Sequence, residues 1–112
     1  MTDSFYRGSP HAVKASKPEM LEHAEELRRI IAATGNEVEL IAVNELYKRS
    51  FVGRALSGYG SGQLHCYTVI PYHSGTQVRR EYEFRGIGGD IWEQAPNYVQ
   101  LKDLELGQME LF

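Results

Sequence analysis

Four histidines, one cysteine and a pair of alternating glutamates are the residues with which this chain could hold a metal or run a reaction. His65 and Cys66 are neighbours in a stretch that reads as β-strand, so their side chains leave opposite faces and cannot share one metal without a bulge. His11 falls in an irregular opening stretch, His23 among glutamates on a helix and His73 in a turn; each reads as a solvated or locally bonded histidine. Glu81 and Glu83 alternate onto one strand face, and with Asp90 beyond them they have the residue types of a magnesium-dependent nuclease. The lysine such a site needs is missing at the customary spacing. Arg79 and Arg85 flank the glutamates, so cross-strand ion pairing is the simpler expectation. No catalytic residue, metal or cofactor is therefore assigned, and a metal-dependent nuclease is kept as a third reading.

Phosphate recognition is the second chemistry on offer. Lys48, Arg49 and Arg54, then Arg79, Arg80 and Arg85, interleave with Tyr67, Tyr72, Tyr82 and Phe84. Residues 46–85 carry +4, between −3 over residues 1–45 and −4 over residues 86–112. Arginines contact phosphate and exposed rings stack on bases, so a hairpin mixing both reads as a nucleic-acid surface for single-stranded or duplex DNA. Internal charge pairing, with the rings forming the core of a sheet, is the competing expectation. The glycine-rich stretches 57–62 and 86–90 are read as turns. A phosphate cradle needs a strand before the loop, a helix after it and a lysine at the exit, and neither stretch has all three.

The chain closes on Gln108-Met109-Glu110-Leu111-Phe112. Two large apolar side chains at an exposed end cost solubility unless something covers them, and docking into a pocket would remove roughly 1.5–3 kcal/mol of exposure for each. This Gln-x-x-Leu-Phe ending resembles the short peptide by which bacterial and phage replication and repair proteins dock onto the sliding clamp. The resemblance implies that Gln108 hydrogen-bonds at the mouth of a clamp pocket, that Met109 and Glu110 sit between, and that Leu111 and Phe112 fill an apolar cleft. The preceding Leu106-Gly107 would let the backbone reach it. The acidic, apolar-ended tail also resembles, more loosely, that of bacterial single-strand binding proteins, from which Leu111-Phe112 departs where those end in Pro-Phe. The competing expectation is that Leu104, Leu106, Leu111 and Phe112 close the protein's own core.

The elements that must position these groups can be read from periodicity. Residues 1–15 lack a period and form a mobile lead-in. Ser16-Lys17-Pro18-Glu19 has capping-box spacing, and Met20, Leu21, Ala24, Leu27, Ile30 and Ile31 form a helical stripe ending at Gly35, which predicts a helix over 17–34. Residues 37–43 predict a strand buried on both faces. Asn44 can cap a second helix over 45–56 with Tyr47, Phe51 and Ala55 on one face, although Gly53 inside it leaves open a bent strand continuing from Val43. Residues 63–72 and 77–86 predict a hairpin closed by a four-residue loop, His73-Ser74-Gly75-Thr76. In its second strand Val78, Arg80, Tyr82 and Phe84 would share one face, and Pro71 predicts an edge position for the first strand. Trp92 reads as a core or interface anchor, and residues 98–101 as a short strand.

With 112 residues the chain suits one small α+β domain over 16–103: an N-terminal helix, a three- to four-stranded mainly antiparallel sheet and a second short helix, followed by an acidic tail over 104–112. The lone Cys66 rules out an internal disulfide, no stretch matches a membrane span, and the opening residues lack a secretion signal, so a soluble cytoplasmic protein is expected. The leading functional expectation is a non-enzymatic accessory protein of bacterial or phage DNA replication or repair, recruited to the sliding clamp by Gln108, Met109, Leu111 and Phe112. The alternative is a small interaction or inhibitor protein, homodimeric through an edge strand, whose tail is part of its own core.

Overall fold

Ser16 and Glu19 open the first helix by satisfying each other's backbone. In the computed structural model, which describes residues 13–85 and 91–109 (side chains to Glu105), the Ser16 N–H donates to Glu19 Oε1 at 2.9 Å and the Glu19 N–H to Ser16 Oγ at 3.3 Å. The helix α1, Lys17–Ala33, follows, with Met20, Ala24, Leu27 and Ile31 buried along one stripe. Gly35, at φ +70°, turns the chain out of it. The Ser16 hydrogen bonds hold the Glu19 carboxyl below its ordinary pKa. A depressed carboxylate stabilises the fold above its unfolded pKa, and that contribution is lost as pH falls through the lowered folded value. Thermal melts of Glu19→Gln should therefore show a flatter decline from neutral to acid pH than the parent protein.

Five strands form one antiparallel sheet in the order β4-β3-β2-β1-β5, against the three to four that the sequence predicts. They are β1 Val38–Asn44, β2 Ser50–Ala55, β3 Leu64–Tyr72, β4 Gly75–Glu83 and β5 Tyr98–Gln100, and the last runs directly into the helix α2, Leu101–Met109. The domain is thus α+β, with an N-terminal helix and a second short helix, and no helix among the described residues is long and apolar enough to cross a membrane.

The second helix expected over 45–56 is instead strand β2. Asn44 does accept two amides, from Leu46 at 2.8 Å and Tyr47 at 2.9 Å, but the cap closes a turn and the chain returns antiparallel to β1. The reason lies in burial. Phe51 faces one core while Val52 faces the other, both fully buried, a demand that alternation meets and a single helical stripe does not. Gly53 fits the strand for a steric reason, because a Cβ there would stand 2.4 Å from Val38 Cγ1 and 3.0 Å from Tyr67 Cε1. Gly53→Ala should consequently cost about 1–3 kcal/mol through overpacking, read as a lower denaturant midpoint at unchanged slope.

Both faces of the sheet are covered. One carries α1 and α2 over Leu40, Val43, Phe51, Tyr67 and Val69, with Phe51 and Tyr67 stacked at 5.1 Å. The other packs Ala42, Val52 and Cys66 against Phe84, Ala95 and the half-buried Trp92, beside a 3-10 turn at Ile91–Glu93. A bulge at Ile41 lets β1 serve both layers, since Leu40 pairs with Gly53 and Ala42 with the next residue, Val52.

A second bulge corrects the expected faces of β4. Tyr67 pairs with Arg80 but Cys66 pairs with Tyr82, leaving Glu81 unpaired. Beyond it the alternation inverts, so Val78 and Arg80 lie on the helix side while Tyr82 and Phe84 lie on the other. The hairpin is also tighter than expected: Tyr72 pairs with Gly75, leaving His73-Ser74 as the loop, with Gly75 at φ +126°.

Pro71 does not mark an edge strand, because β3 lies between β2 and β4. It lies where β3 outruns its neighbour, β2 ending its pairing at Ser50 opposite Thr68. The Val69 N–H donates across to Arg49 O at 2.8 Å, so two residues on, position 71 points its backbone to the same open side. Proline has no N–H to strand there.

Candidate functional site

The basic residues singled out by sequence divide into two groups. Arg54 and Arg80 reach the glycine-rich connection between β2 and β3: Arg54 Nη1 donates to Gly62 O at 3.0 Å and Arg80 Nη1 to Tyr59 O at 2.7 Å. Arg54 also stands 3.5 Å from Glu39, and the Arg80 guanidinium lies 5.9 Å from the centre of the Tyr67 ring. Arg79 contacts Glu81 Oε1 at 2.9 Å, a hydrogen bond that holds its pKa above the ordinary arginine value, and Arg85 lies 3.6 Å from Glu83. These four arginines engage the protein's own acceptors. The pairs with glutamate are exposed, and such pairs contribute little to stability.

Lys48 and Arg49 lie elsewhere, in the turn between Asn44 and β2. With His23 of α1 they line a cleft of about 190 Å³ between that helix and the projecting end of the β3–β4 hairpin, where Val69, Pro71 and Thr76 form the far wall. Arg49, Val69 and Pro71 also line a wider cleft of about 570 Å³ on the other side of the strand end, together with Tyr47, Thr68 and Ile70. The sequence named Lys48 and Arg49 but missed His23, which its neighbouring glutamates made look like a solvated group. Its Nδ1 is shielded from water and has no hydrogen-bond partner among the described residues.

The residues considered for metal or nucleophile chemistry are separated. Glu81 is held by Arg79, whereas Glu83 lies across the sheet pairing from His65, its carboxylate 3.9 Å from His65 Nε2. Asp90 and His11 lie outside the described residues. Among the described residues no three of histidine, cysteine, aspartate and glutamate are grouped to hold a metal ion. His65 and Cys66 do leave opposite faces: His65 Nδ1 is 3.2 Å from Gln63 O, while Cys66 Sγ is 3.3 Å from the Tyr98 hydroxyl. Burial raises the Cys66 thiol, and burial followed by the thiol contact raises Tyr98 and Tyr82, so all three stay protonated at neutral pH. An inert thiol packed in the second core layer follows.

The clamp-like segment is reached through α2. Leu101 and Leu104 are buried against α1 and β1, at 5% and 1% exposure, and Arg28 of α1 stands 3.6 Å from Glu105. Leu104, which the sequence places in the tail on one reading and in the core on the competing one, is therefore a core residue. Gln108 and Met109 form the last part of α2, and Leu111 and Phe112 lie outside the described residues. Comparison of the chain with known protein families, with curated proteins and with solved structures gives no significant match.

Proposed function

We propose that this protein is an accessory factor of bacterial or phage DNA replication or repair that docks onto a ring-shaped sliding clamp through Gln108, Met109, Leu111 and Phe112. The observation that carries the reading is the residue pattern itself, a glutamine followed at fixed spacing by leucine and phenylalanine. Its position in the fold supports it. The last buried side chain among the described residues, Leu104, precedes Gln108 by about one helical turn. The domain thus grips the segment's near end.

Docking in an extended form would require the end of α2 to unwind. Gly107 lies in that turn, where glycine costs about 1 kcal/mol relative to alanine, and the last four carbonyls of a helix have no partners within it. Opening that turn is cheap beside what two buried apolar anchors return. Calorimetric titration of a bacterial sliding clamp with the full-length protein and with the Leu111→Ala/Phe112→Ala variant tests the reading. Micromolar binding by the former and none by the latter is the expected result; absence of binding by the folded full-length protein would refute it.

A second reading, an interaction or inhibitor protein pairing through a sheet edge, draws on the nine-residue open edge of β4. The bulge at Glu81 and the charged side chains of Arg79, Arg80 and Glu81 blunt that edge, so it ranks below the first.

A further inference from the structure

We infer that the paired clefts around Arg49 form a groove for single-stranded nucleic acid, with phosphate held by Lys48, Arg49 and His23 and bases seated on Tyr47, Ile70 and Pro71. This inference rests on the proposed role in DNA metabolism and narrows the nucleic-acid surface from a whole basic hairpin to one end of the sheet.

Three observations carry it. The first is shape and charge. Two clefts share Arg49, Val69 and Pro71 as common walls, and the wider, at about 570 Å³, lies within the roughly 300–1,000 Å³ typical of ligand sites. Lys48 and Arg49 line the narrower cleft against one carboxylate, Glu26, so the lining favours an anion. The second is an unmet polar group. His23 lines the narrower cleft, and its Nδ1 has no hydrogen-bond partner among the described residues. The third is the apolar half of the lining, where Tyr47, Ile70 and Pro71 present flat or aliphatic surface beside the cations. Bases of a single strand have exposed faces that stack on such groups, whereas those of a duplex are covered by their neighbours.

The backbone argues against an extended peptide as occupant. The open edge of β3 runs past β2 between the two clefts, and a peptide adding there as a strand would need the N–H of position 71, which is proline. A nucleic-acid strand makes no such demand. Arg54, Arg79, Arg80 and Arg85 are outside the groove's lining, so they make a matched control.

Fluorescence anisotropy with a labelled oligothymidine of about 15 nucleotides reads the groove directly. The full-length protein is expected to bind it. Lys48→Glu, on the exposed rim, should weaken binding about tenfold or more, and Tyr47→Ala by about tenfold. Arg79→Ala/Arg85→Ala should change it by less than about twofold. The slope of log affinity against log salt should fall by about 0.7 for each phosphate contact removed. Circular dichroism matching that of the parent establishes that each variant is folded. Absence of binding by the parent protein, or equal weakening by the Arg79/Arg85 pair, overturns the groove. Removing residues 108–112 should leave oligonucleotide affinity unchanged, so affinity retained in a protein that ignores the clamp supports the groove and overturns only the clamp reading.

Discussion

Leu104→Ala is expected to lower the free energy of unfolding by about 2–5 kcal/mol, visible as a lower denaturant midpoint. Leu104 is 1% exposed and joins the helix-side core with Leu101, Leu27 and Val43, where truncation removes packed methyl groups and leaves a void its neighbours cannot close. The helices α1 and α2 meet the sheet on this one face, so the void would also loosen the docking of α2. The variant locates the boundary between domain and docking segment. A loss below about 1 kcal/mol would mean that α2 is peripheral and that the docking segment begins before Leu104.

The Leu111→Ala/Phe112→Ala variant is expected to do the opposite: clamp binding lost, melting curve superimposed on that of the parent. Each side chain seated in an apolar pocket is worth roughly 1.5–3 kcal/mol. Micromolar affinity corresponds to about −8 kcal/mol, so removing both anchors would carry binding to the millimolar range or beyond. Gln108→Ala should cost less, on the order of 1 kcal/mol, because it removes a hydrogen bond that exchanges with water. A double variant that unfolds at lower temperature would show that Leu111 and Phe112 belong to the core. Together with Leu104→Ala, the pair separates stability from recruitment at two ends of the same segment.

The helix α1 was legible because its signals are local: the capping box, the apolar stripe and Gly35 all act within a few residues of where they are written. The hairpin was legible for the same reason, from two β-rich runs around a short polar turn, although its loop is two residues and not four. The separation of His65 from Cys66 followed from strand alternation alone. Ion pairing of Arg79 and Arg85 with the glutamates was legible too, although the partners, Glu81 and Glu83, lie two residues away along the chain and not across the sheet.

What the tertiary structure decided was set by neighbours distant in sequence. Residues 45–56 carry a helical spacing of Tyr47, Phe51 and Ala55, yet they become β2 because the sheet has a core on each face and because Val38 and Tyr67 leave no room for a Cβ at position 53. The faces of β4 turn on a bulge at Glu81, which no residue type in that strand announces. Leu104 belongs to the core because α1 provides the surface it packs on. Lys48, Arg49 and His23 meet around one cleft only because the hairpin outruns β2 and closes over α1. The sequence by itself specified which residues carry charge, which carry apolar bulk and where the docking-like segment lies. Which basic residues share a cleft and which lie against the β2–β3 connection depended on strand order and register, and those follow from long-range packing that no local spacing encodes.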